Sequence, residues 1–135
     1  SDYISARLSK QAYEIAGVSP GDMDVLEVHD ATSMGELIQF AALGFSAWED
    51  AAPVARSGAT ALGGKIPVNP SGGLVSKGHP LGATGIGQIA EMVMQLRGEA
   101  GKRQVEDARL GMTENGGGAV GVEEAAMTVH IFEKV

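Results

Sequence analysis

The 135-residue sequence has no cysteine, so these residues supply neither a disulfide nor a thiolate nucleophile. No apolar run approaches the roughly 20 residues of a membrane-spanning helix, and no signal-peptide pattern opens the chain. These absences lead us to expect a cytoplasmic protein. Basic residues are outnumbered, 10 Lys and Arg against 17 Asp and Glu, for a net charge of −7. That balance argues against nonspecific nucleic-acid binding, which needs a basic surface. Carboxylates are themselves missing from Ala51 to Ala90, where Arg56, Lys65 and Lys77 are the charged residues. Chance clustering would account for such a window. So would an anionic ligand received by its glycine-rich loops.

What is present fits one globular domain. Hydrophobic residues make up 44% and charged residues 20% of a length that can bury a core. Ser1 to Ala16 reads as a helix with Ile4, Leu8, Ala12 and Ile15 on one face and Gly17 as its stop. The chain begins without Met and almost at once in a helix, as expected of a processed N-terminus or a chosen boundary. Asp24 to Val28 reads as a short strand that delivers His29 and Asp30. Met34 to Leu43 follows as a helix, with Ser33 and Glu36 as a capping box. Phe45 to Ile66 reads as a long loop and Pro67 to Asn69 as a brief strand. Thr84 to about Arg97 is predicted helical from Ile86, Ile89, Ala90 and Val93, with Met92 and Met94 as packing residues. Leu110 to Thr113 is a predicted strand ending at Glu114, and Ala125 to Glu133 is a last, alternating strand. Helices alternating with strands indicate an α/β domain. Its ligands should gather at strand C-terminal ends, where His29, the 69–82 loop and Glu114-Asn115 all fall.

The organising stretch is Asn69 to Gly87, N-P-S-G-G-L-V-S-K-G-H-P-L-G-A-T-G-I-G. It sets His79 in a glycine-lined turn, stiffened by Pro80, at the mouth of a helix. An imidazole titrates near neutral pH, so His79 is a candidate general acid or base. Its alternative is an idle histidine in a turn that caps a helix. Other signals fail. Ala59 to Ile66 imitates a phosphate loop but lacks its first Gly and its final Ser or Thr, and Gly82 to Gly87 has the wrong glycine order for a dinucleotide fingerprint. Asn69-Pro70-Ser71 has Pro where glycosylation forbids it. The three histidines show no metal spacing, and His130 reads as one face of a strand.

Gly78-His79-Pro80-Leu81-Gly82-Ala83-Thr84-Gly85 resembles the G-H-P-x-G-x-T-G signature of thiolases, and the flanking N-P-S-G-G-L-x-S-K resembles their sterol-carrier-protein branch. The resemblance covers nearly the whole chain but only the C-terminal half of such an enzyme, with the first strand of that half missing before Ser1. It implies a layered α/β fold around a mixed sheet. It also implies an N-terminal half, on the same or a separate chain, that bears the nucleophilic cysteine, and a homo-oligomeric complete protein.

For activity, the resemblance implies an acyl-CoA C-acyltransferase that forms or cleaves 3-ketoacyl-CoA, with coenzyme A thioesters as substrates and no covalently bound cofactor. His79 would activate the cysteine, and His29, in His29-Asp30-Ala31-Thr32, would donate toward the thioester oxygen. Asn69, Ser71, Gly72, Gly73, Lys77, Gly78, Gly117 and Gly118 would hold the substrate. Two departures stand out. Ala31-Thr32 replaces the family's common Cys-Phe, and Glu114 stands where relatives carry Cys or His. Glu114 is therefore either a carboxylate made basic by burial or a solvated loop side chain. These departures leave room for a thiolase-like retro-aldolase, or for a non-catalytic acyl-CoA-binding or assembly subunit.

Overall fold

The computed structural model describes residues 3–121 and 123–135. Five helices and three strands follow in the order α1 (Ile4–Ala16), β1 (Val25–Glu27), α2 (Ser33–Ala42), α3 (Ala51–Arg56), α4 (Gly73–Lys77), α5 (Thr84–Arg97), β2 (Leu110–Gly117) and β3 (Ala126–Glu133). β2 is the middle strand. It runs parallel to β1, with Leu26 opposite Met112, and antiparallel to β3, with Thr113 opposite His130. The expected strand at Pro67 to Asn69 is reduced to a single parallel bridge from Val68 to Leu26.

Side chains alternate across a strand, so Val25 and Leu26 serve opposite faces of the sheet. Leu26 and Met112 meet Tyr13, Phe40, Leu43 and Val68 beneath α1 and α2. Val25 meets Met92, Leu96, Val105 and Ala108 on the α5 side. The sheet is thus the middle of an α/β/α sandwich, as the resemblance implied.

Several expected details differ. The predicted loop from Phe45 to Ile66 contains α3, preceded by a 3₁₀ turn at Trp48–Asp50. The cap of α2 is Thr32 and not Ser33: Thr32 Oγ1 accepts the Gly35 N–H at 3.0 Å, while the Glu36 carboxylate reaches Asn69 Nδ2 at 3.4 Å. In α1 the buried residues are Ser5, Ser9 and Tyr13, whereas Ile15 is 88% exposed. Tyr13 wins the inner face because its hydroxyl donates to the Leu43 carbonyl at 2.9 Å. In α5 Ile86 is 70% exposed, and the buried stripe is Gln88, Glu91, Met92, Gln95 and Leu96. The apolar spacing located the helix but not its inner face. Polar residues can line that face because each finds a partner, as Gln95 does with Arg103 and Val105 of the following loop. β2 continues through Glu114 to Gly117, so the residues expected in a loop belong to a strand.

Candidate functional site

Three segments converge beyond the end of β1. They are residues 28–31, the organising stretch, and the end of β2 with its return toward β3. Together they line a cavity of about 590 Å³ walled by His29, His79, Leu81, Asn115, Gly117 and Glu124, among others.

His29 is held at two points by the neighbouring strand. Its backbone N–H donates to Glu114 Oε2 at 2.9 Å, and its ring Nδ1 accepts the Gly116 N–H at 3.0 Å. A nitrogen that accepts is unprotonated, so the proton of the neutral ring sits on Nε2. Burial, and secondarily the neighbouring His79, lowers the His29 pKa below the ordinary imidazole value. His29 is therefore a neutral ring that offers an N–H.

His79 is arranged in the opposite sense. Its Nδ1 lies 2.7 Å from Thr84 Oγ1, and that hydroxyl donates to the Pro80 carbonyl at 3.2 Å. In the tautomer that lets the hydroxyl keep its bond to Pro80, it accepts from His79 Nδ1–H, which leaves Nε2 with a lone pair. The two rings lie 4.8 Å apart between centroids. One cavity thus holds an imidazole that donates beside an imidazole that accepts.

Glu114 is not a solvated loop side chain. It is fully buried, and burial raises its pKa to about 8 against the opposing pull of the His29 N–H. It lies behind the cavity and grips the His29 backbone, while its own carbonyl accepts from Gln88 Nε2 of α5 at 2.9 Å. The sign of its effect on stability is definite. The folded state holds this proton to a higher pH than an unfolded glutamate does, so stability is fully present below about pH 4.5 and is lost as pH rises through about 8. We expect Glu114→Gln, which keeps an acceptor for the His29 N–H, to flatten that decline. Thermal unfolding at pH 5 and pH 9 checks it: the wild-type loss over that interval should exceed the variant's.

The remaining expected site residues divide by position. Gly117 and Gly118 line the cavity. Asn69, Ser71 and Gly73 lie behind it and fasten the organising stretch to β1. Asn69 Oδ1 accepts the Val28 N–H at 2.8 Å. Ser71 donates to the Glu27 carboxylate from both its N–H and its hydroxyl, at 3.0 and 2.7 Å. The Gly73 Cα faces the Asp30 carboxylate, whose Oδ1 accepts the Leu74 N–H at 2.6 Å. Lys77 is exposed and donates to Ser71 Oγ at 2.5 Å. Gly72 and Gly78 are exposed and outside the lining. Among the described residues no group of His, Asp or Glu is arranged to hold a metal, and no helix is long and apolar enough to cross a membrane.

The sequence reading placed Asn115 at the site's edge, where it lines the cavity, but missed Glu124. Glu124 sits in the β2–β3 connection, in an acidic pair that reads as solvated turn. It reaches the cavity because Gly116 has no Cβ, a Cβ there being only 2.5 Å from Glu124 Cγ.

Residues 4–133 match the thiolase C-terminal domain-like family. The chain belongs to this family. Among curated proteins it is 50% identical, over 93% of its length, to acetyl-CoA acetyltransferase of Methanothermobacter thermautotrophicus. It is 49% identical over 83% of its length to human sterol carrier protein 2, and 39% over 87% to the benzoylsuccinyl-CoA thiolase subunit BbsB of Thauera aromatica. The chain spans 32%, 20% and 31% of those three proteins. Among solved structures, one titled Ltp2-ChsH2(DUF35) aldolase superposes on 96% of the chain with a TM-score of 0.81 at 25% identity, and the chain spans 32% of it. The thiolase C-terminal fold is thereby established on both sequence and shape.

Proposed function

We propose that this thiolase C-terminal domain is the C-terminal portion of an acyl-CoA C-acyltransferase of the acetyl-CoA acetyltransferase or 3-ketoacyl-CoA thiolase type. It works with an N-terminal half, on the same or a separate chain, in a cytoplasmic homo-oligomer. The observation that carries the reading is the pair of imidazoles with opposite polarity in one cavity. His79 Nε2 accepts a proton from the thiol that the N-terminal half supplies, and later returns it. His29 Nε2–H faces the oxygen on which negative charge develops as the thioester is attacked. Backbone N–H groups at Gly117 and Gly118 offer further donors, and the organising stretch presents His79 and Leu81 to the cavity.

The complete protein, given a 3-ketoacyl-CoA and free CoA, should consume both and release two acyl-CoA products. The aldolase-titled neighbour favours a second reading, retro-aldol cleavage of a CoA-linked side chain. That reaction releases an aldehyde or ketone and needs no free CoA. Acyl-CoA binding with neither turnover would leave only a binding or assembly subunit, and both enzymatic readings would be abandoned.

A further inference from the structure

Lys65 lies in the carboxylate-free window from Ala51 to Ala90, where Lys77 is already tied to Ser71. Lys65 is exposed, and among the described residues its ammonium has neither an ion-pair nor a hydrogen-bond partner. It stands at the rim of a second cavity, of about 400 Å³, whose wall reaches the core. Met23, Phe40 and Ile66 line this cavity although each is at most 8% exposed. Phe45 stacks on Phe40, with ring centroids 5.5 Å apart, and Val54 of α3 completes an apolar wall. Interiors are normally packed without such voids. Here small residues hold the space open. Gly44 and Ala59 line it, and Gly44 has φ +90°, where a larger residue would be strained. Asp22, next to the lining residue Gly21, is engaged elsewhere, for it accepts the Ser19 N–H and hydroxyl at 2.8 and 2.7 Å. An apolar wall with one uncommitted ammonium at its mouth matches a molecule of the same division, a hydrocarbon or aryl body ending in one anionic group.

This cavity is separate from the histidine cavity. α2 begins beside Ala31, in the wall of the histidine cavity, and ends at Ala42, beside Gly44 and Phe45 of the second. Its ten residues set the two roughly 15 Å apart. We propose that the second cavity binds a small amphipathic carboxylate, whose apolar body packs on Phe40, Phe45 and Val54 and whose carboxylate meets Lys65. A carboxylate suits it better than a phosphate because one ammonium balances one charge. The ligand is a free acid and not the acyl chain of a thioester, which carries no charge at its carbonyl. The site stands whether or not the histidine cavity turns over thioesters.

The test is calorimetric titration of the complete protein with octanoate, and with octanol as its uncharged counterpart. Wild type should bind one octanoate per chain, and octanol about tenfold more weakly. Lys65→Met keeps an apolar stem but removes the charge. It should weaken octanoate about tenfold and leave octanol unchanged. Ala59→Phe fills the cavity without touching a charge and should abolish the binding of both. Lys65 is exposed, so Lys65→Met remains informative even if Ala59→Phe fails to fold. His29→Ala should bind octanoate as wild type does. No octanoate binding by wild type, an unchanged affinity in Lys65→Met, or full binding in folded Ala59→Phe overturns the proposal. Binding lost in His29→Ala and kept in Lys65→Met would place the acid in the histidine cavity, and overturns it equally.

Discussion

The complete protein carrying His79→Ala should fold normally and lose about 10²- to 10⁴-fold in the turnover of a 3-ketoacyl-CoA with CoA, the usual effect of a general acid–base group. Folding should survive because His79 is exposed and its one hydrogen bond is to Thr84 within the same turn. The loss should fall mainly on kcat, since proton transfer belongs to the transition state and not to substrate binding. Thr84→Val is a sharper probe of the argument. It removes the hydroxyl that holds Nδ1–H, frees the ring to rotate or change tautomer, and leaves the imidazole in place. Its expected effect lies between wild type and His79→Ala. A steady-state assay beside a circular dichroism spectrum checks both variants. Wild-type kcat in folded His79→Ala would eliminate His79 as acid or base.

How much of this was legible in the sequence depends on the kind of contact involved. The α/β class, α5 and β3 follow from periodicity and glycine stops, which are local signals. His29 and His79 were legible as candidates because each sits beside turn residues at a strand or helix end. Their complementary protonation was not, since it depends on Gly116 and Thr84, and a hydrogen-bond partner 87 positions away leaves no mark on local spacing. Glu114 shows the limit most clearly. Read locally it ends a strand before three glycines and looks like a loop; paired with Val129 of β3 and bonded to Gln88 of α5 it is inside. Glu124 escaped for the converse reason. Its turn is polar and ordinary, and only the buried Ser5–Gln39 chain from two distant helices fixes it at the cavity wall. Asn69, Ser71 and Gly73 drew notice as ligand-facing residues, whereas their contacts fasten the loop to β1 from behind.

That fastening has a weak point at Gly73, and Gly73→Ala should be the most damaging small substitution in the loop. Gly73 has φ +62° and a neighbour that leaves no space, for a Cβ there would lie 2.0 Å from Asp30 Oδ2. The left-handed backbone alone costs an alanine roughly 1–2 kcal/mol. Asp30 must also withdraw, which breaks its bond to the Leu74 N–H and strands a buried carboxylate, for about 1.5–3 kcal/mol more. A total of roughly 3–5 kcal/mol is a large share of the 5–15 kcal/mol that holds a typical domain together. Gly98→Ala separates the two contributions, because Gly98 is also left-handed, at φ +76° and ψ +24°, but has nothing within 4 Å of the added methyl. It should therefore show the backbone cost alone. The cycle closes with Asp30→Ala. If the clash with the carboxylate carries the larger part, Gly73→Ala should cost less in the Asp30→Ala background than in wild type, by more than about 1 kcal/mol. Equal costs in both backgrounds, read from chemical denaturation of the complete protein, would return the whole effect to backbone strain and leave Asp30 no part in seating the loop that presents His79.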